Sequence, residues 1–134
     1  MTKQENASPI SGIAWSWSLA FVVALVMILG AIGHLMAPDQ FGRLVPAWFP
    51  AALVLPASAI VQIAIGLAAL WPATRARAGL AFSLLCLGYL PLHLWDFFRP
   101  DPVFAPIYAA LVRVVVEFIF IWIGWTLWER RSAI

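Results

Sequence analysis

Apolar residues run along this chain in four long stretches separated by short polar or proline-rich breaks. The stretches cover about residues 13–37, 51–71, 79–98 and 107–128. Each is near the roughly 20 apolar residues a helix needs to cross the hydrocarbon core of a bilayer. The pattern predicts an all-α, integral membrane four-helix transmembrane bundle, with one membrane domain over 13–128. Residues 1–12, MTKQENASPISG, read as a short polar arm, and 129–134, ERRSAI, as a basic tail. The first stretch exceeds the roughly 7–15 residues of a signal-peptide core and no clear A-x-A site ends it, so a retained helix is expected.

The breaks have distinct characters. PDQFGRLVPAWFP (38–50) mixes prolines, charges and aromatic residues and suits a segment lying in the interface. PATRARA (72–78) reads as a basic turn, and RPDPVFAP (99–106) as a proline-rich one. Pro56 falls within the second stretch, where neighbouring helices can accommodate it.

Composition narrows the class. Of 134 residues, 64% are hydrophobic and 10% charged, against about 25% charged in soluble domains. Mean hydropathy is +0.96, so too little polar side chain exists to coat a water-facing surface. The lipid bilayer is the expected partner. The eight tryptophans suit interfacial belts, since several fall close to helix ends. Net charge is only +2 and the basic residues are not gathered on one face, so nucleic acid is not an expected partner. The single cysteine, Cys86, excludes an internal disulfide or a CxxC pair. Lys3, Arg75, Arg77, Arg130 and Arg131 fall on one side of a four-span layout and only Arg43 and Arg99 on the other. That asymmetry predicts a cell-membrane protein with both termini cytoplasmic.

Against this apolar background the ionisable residues stand out. Arg113 and Glu117 lie within the fourth stretch, where each costs about 2.5–3.5 kcal/mol at a helix centre on insertion scales. Their i,i+4 spacing puts them on one face, able to pair. At 1.5 Å per residue, Glu117 and Gln62 both lie roughly 15 Å below the non-cytoplasmic ends of their helices, so Gln62 is expected to face Glu117. Ser58, Gln62 and Gly66 form one small-and-polar stripe. Cys86, Tyr89, His93 and Asp96 form another at helical spacing. His34, beside Gly30 and Gly33, adds a polar group at the same end. The candidate ligand-binding set is therefore His34, Gln62, Tyr89, His93, Asp96, Arg113 and Glu117, lining one cavity in the non-cytoplasmic half.

Four chemistries are open to such a set. Two histidines on different helices could hold haem or a metal, but neither lies in a close ligand motif, so hydrogen-bonded histidines and no metal are expected. Glu117 or His93 could move a proton as the catalytic residue of an enzyme on a lipid-soluble substrate. Quinone or a similar apolar ligand could bind with its oxygens on the polar groups. Or Arg113 and Glu117 could simply lock helix register. Nucleophilic catalysis lacks an activating motif.

Several segments resemble the DoxX-like membrane proteins. GAIGHLMAPDQFGRLVPAWFP (30–50) is similar to that family's G-x-x-H-F…P-x-x-F…V-P-x-x-x-P region, and WPATRARAGL to its L-P-x-T-R-x-x-A-G turn. SAIVQIAIGLAAL and YLPLHLWDFF match its second and third helices, and ALVRVVVEFIFIWIGW is similar to its R-L-P-x-Q helix. The resemblance spans about residues 30–128. It implies a four-helix membrane bundle, sometimes linked to thiosulfate:quinone oxidoreduction or to redox complexes of oxidative stress. Where the family commonly has Glu and Gln, this chain has Gln62 and Glu117, an exchange that would preserve a contacting pair. Val114 and Val115 replace Leu and Pro, which implies a straighter fourth helix. The leading expectation is a non-catalytic or accessory membrane protein with a quinone-type pocket, with a redox partner or a second copy as possible company. The rival is a quinone-linked oxidoreductase subunit or proton-transfer enzyme, although a lone Cys86 and no cofactor motif argue against a self-sufficient one.

Overall fold

The computed structural model describes residues 9–130, with side chains from Gly12 onward. Its elements are α1 (Pro9–Met36), a five-residue α2 (Pro38–Gly42), α3 (Ala51–Leu70), α4 (Arg75–Trp95) and α5 (Ile107–Glu129). Four of these helices are long and apolar enough to cross a membrane, and among the described residues there is no strand. The chain is an all-α, multi-pass membrane bundle. Lys3 and Arg131 of the charge count, and most of the expected polar arm, lie outside the described residues.

The long helices form two antiparallel pairs. α1 packs mainly on α3 and α4 mainly on α5, and a thinner α3–α4 seam joins the pairs. In the α4–α5 pair the backbones nearly touch: a Cβ added at Gly79 would lie 2.7 Å from the Gly124 carbonyl oxygen. Small residues at such crossings let helices gain dispersion contact where lipid offers no hydrophobic drive. Ser83 Oγ also donates to the Ile121 carbonyl at 2.7 Å.

Helix ends depart from the expected bounds in instructive ways. Pro9–Gly12 belong to α1 rather than to the arm; proline suits a first turn, where its missing N–H is not needed. α4 begins at Arg75 rather than residue 79, because the basic turn caps α3. The last carbonyls of a helix lack intrahelical donors and carry partial negative charge. Thr74 Oγ1 donates to Ala68 O at 2.7 Å, Arg75 Nε to Ala69 O at 3.2 Å, and Arg75 Nη2 to Leu70 O at 3.5 Å. Arg75 also reaches Ser16 Oγ at 3.4 Å and lies 3.7 Å over the Trp17 ring, so this arginine is buried. α4 ends at Trp95 rather than residue 98, because the side chain of the next residue, Asp96, turns to the following loop.

The two halves of the bundle differ. Around Leu19, Val23, Phe82 and Leu127 an apolar core fills the half near Arg75. The other half, where α1 and α4 end and α3 and α5 begin, holds the polar residues. The outer surface carries exposed Phe21, Leu29, Ile60, Leu84, Leu111 and Phe118, which suits hydrocarbon as the solvent.

Candidate functional site

A cavity of about 150 Å³ lies between the two helix pairs in the polar half. Each pair contributes the same kinds of side chain: a histidine from the end of its first helix, an amide or acid from the middle of its second, and a phenylalanine from the loop between.

In the α1–α3 pair these are His34, Gln62 and Phe41. The Gln62 amide Nε2 lies 3.2 Å from His34 Nδ1 and donates to Tyr89 Oη, on α4, at 3.2 Å. Gln62 is buried at 2% exposure, yet its Oε1 has no hydrogen-bond partner. Glycine makes room for it: a Cβ at Gly30 would come within 2.5 Å of that oxygen. Phe41, on α2, covers the imidazole with ring centroids 4.6 Å apart. A Cβ at Gly33 would lie 2.7 Å from the tip of the same phenyl ring, so glycine there lets α2 fold against the end of α1.

In the α4–α5 pair the equivalents are His93, Glu117 and Phe104. His93 Nε2 lies 3.5 Å from Glu117 Oε2, which also forms an ion pair with Arg113 one turn earlier on α5. Glu117 is fully buried. Neither its carboxylate oxygens nor the two His93 ring nitrogens have a partner at directed hydrogen-bond geometry. The Cys86 side chain lies against the same carboxylate. Phe104 meets the His93 ring edge-on with centroids 6.0 Å apart.

Six of the seven sequence-derived candidates therefore line the cavity: His34, Gln62, Tyr89, His93, Arg113 and Glu117. Asp96 does not. Its Oδ1 accepts from Val103 N at 2.8 Å and its Oδ2 from Phe104 N at 2.9 Å, with Arg99 at 3.8 Å. With both oxygens committed to backbone amides, Asp96 shapes the loop that brings Phe104 over His93. Gln62 and Glu117 line the same cavity, but among the described residues no hydrogen bond or ion pair joins them: Gln62 bonds His34 and Tyr89, and Glu117 meets Arg113 and His93. Sequence reading missed Phe41 and Phe104 altogether. The available signal was the echo between the two loops, His-Leu followed by Pro-Asp and an aromatic in HLMAPDQF and HLWDFFRPDPVF.

A polar latch joins those loops above the cavity. Arg43 Nη2 bonds Asp101 Oδ2 at 3.0 Å, and Arg99 Nη1 donates to Arg43 O at 2.6 Å. Leu44 and Val45 beside the latch, and Phe104 beyond it, are cavity wall.

Residues 23–128 match a domain of unknown function, DUF8561. The chain belongs to the DUF8561 family. The matched span contains every polar side chain of the cavity, whereas Ser16 and Trp17, the partners of Arg75, precede it. No curated protein and no solved structure matches this DUF8561 member.

Proposed function

We propose that this DUF8561 protein holds a small lipid-soluble ring compound, a quinone headgroup foremost, in the cavity between its helix pairs. It would do so as a binding protein or accessory subunit of a membrane redox system. One observation carries the reading: buried polar atoms of Gln62, His93 and Glu117 lack hydrogen-bond partners around a single cavity. Buried groups left in that state cost about 1–3 kcal/mol each, more when charged, so a bound partner is the natural remedy. Size supports a ring. Engineered cavities of about 150 Å³ take up benzene, and drug-sized sites start at roughly 300 Å³, so a headgroup fits while any tail stays outside.

The resemblance to DoxX-like proteins, carried by short motifs in the same order, supports the redox setting. The Lys and Arg distribution supports termini in the cytoplasm and the cavity in the opposite half. A redox partner or a second copy would complete the assembly.

The test uses full-length protein in lipid nanodiscs. Native extracts should contain a ring compound by mass spectrometry, and a short-tailed quinone should bind more weakly to His93→Leu, which removes a ring N–H that its oxygen could accept from. If nothing co-purifies and the variant keeps the same affinity, the reading fails. A second reading, proton-transfer catalysis, is favoured by the 3.5 Å approach of His93 to Glu117. It requires a pH-dependent turnover that disappears in His93→Gln and Glu117→Gln alike.

A further inference from the structure

The unpartnered atoms of the α4–α5 side have a definite donor and acceptor balance. Glu117 Oε2 faces Arg113 and His93, which leaves Oε1 as a buried acceptor with no directed donor. Cys86 lies against the carboxylate but offers it only a weak S–H donor. A neutral His93 brings one donor and one acceptor nitrogen, and both are unpartnered. Arg113 adds further N–H groups at the cavity wall. This side of the cavity therefore leaves Glu117 Oε1 without a strong donor, because the His93 and Arg113 nitrogens approach Oε2.

A ring carbonyl cannot balance that account. Its oxygen could accept from His93 or Arg113, but it has no proton for Glu117 Oε1, and the carboxylate oxygen would stay bare. A hydroxyl balances it, because one O–H donates while its oxygen accepts. Phe41 and Phe104, packed against His34 and His93, add aromatic wall to the cavity, and the volume admits a single ring. We infer that the pocket selects an aryl alcohol, a lipid-soluble phenol or hydroquinone, whose hydroxyl donates to Glu117 and accepts from His93 or Arg113. This inference rests on reading the cavity as a ring-binding pocket and specifies which oxidation and substitution state the pocket prefers.

The experiment measures binding to the full-length protein in nanodiscs with two matched probe pairs. One is para-propylphenol against its methyl ether, which keeps ring, tail and oxygen but has no donor. The other is tetramethyl-para-benzohydroquinone against its quinone, handled anaerobically; the fully substituted ring offers the Cys86 thiol no open position. The hydroxyl member of each pair should bind roughly ten- to a hundredfold tighter, the range of a hydrogen bond to a charged group. In Glu117→Gln the ratio should shrink toward unity. Equal affinities within both wild-type pairs, or an unchanged ratio in Glu117→Gln, would overturn the hydroxyl preference while leaving a ring pocket intact. No saturable binding of any of the four probes would overturn the ring pocket as well. Should Glu117→Gln fail to fold, the wild-type comparison decides alone.

Discussion

His93 and Glu117 face each other across the α4–α5 pair at 3.5 Å, each buried, and neither satisfied as a hydrogen-bonding group. The matching His34–Gln62 contact in the α1–α3 pair is closer, at 3.2 Å, and neutral. Two similar helix pairs thus offer one cavity two different walls, one neutral and one charged. On the proposed reading, that difference gives the pocket its chemical preference.

Arg113 should be structurally necessary only while Glu117 is present. Removing the arginine leaves a buried carboxylate with only the His93 ring and the Cys86 thiol beside it, and breaking such pairs costs about 3–5 kcal/mol. Arg113→Ala should therefore lower unfolding stability in detergent strongly. The double change to Leu at Arg113 and Glu117 should recover much of the loss, since apolar replacements of buried ion pairs are often neutral or stabilising. Ring binding should not return with it. A double variant that regains both stability and binding would reduce the pair to helix glue.

The latch should govern access more than stability. Arg43 and Asp101 side chains are 47% and 83% exposed, and exposed pairs contribute about 0–1 kcal/mol. Arg43→Ala should leave the melting temperature nearly unchanged yet speed ligand dissociation severalfold by stopped-flow, with wild-type release also accelerating at high salt. Identical release rates in wild type and variant would show that the two loops do not gate the cavity.

Glycine positions offer a test of the fold itself. A Cβ at Gly124 would lie 2.6 Å from the Gly79 carbonyl and 2.5 Å from Ser83 Oγ, whereas at Gly88 it meets nothing within 4 Å. Gly124→Ala should cost about 1–3 kcal/mol through overpacking. Gly88→Ala should be neutral or stabilising by up to about 1 kcal/mol, since alanine is the better helix former. Equal effects in thermal unfolding would contradict the described α4–α5 crossing.

The four spans were legible because predominantly apolar stretches of about twenty residues have few alternatives. Depth along each helix was legible too, and it gathered His34, Gln62, Tyr89, His93, Arg113 and Glu117 correctly onto one cavity. Depth does not say which side chains bond directly, so it put Gln62 and Glu117 on one cavity but did not reveal that Gln62 bonds His34 and Tyr89. Asp96 misled because periodicity describes a face only while the helix lasts, and its carboxylate turns back along the chain to two loop amides. Arg75 read as part of a basic turn, yet α3's bare carbonyls draw it inward. Phe41 and Phe104 were missed because an aromatic in a membrane-protein loop looks like any other interfacial anchor until the two loops are compared with each other.

The most direct measurement fills the cavity without touching its polar groups. Ser58 is half-buried and lines the cavity wall one turn from Gln62. In nanodiscs, the wild-type protein should bind para-propylphenol saturably, and Ser58→Phe should bind it at least about tenfold more weakly with an unchanged unfolding midpoint. Undiminished binding by a stably folded Ser58→Phe would contradict the claim that this cavity is where the ligand sits.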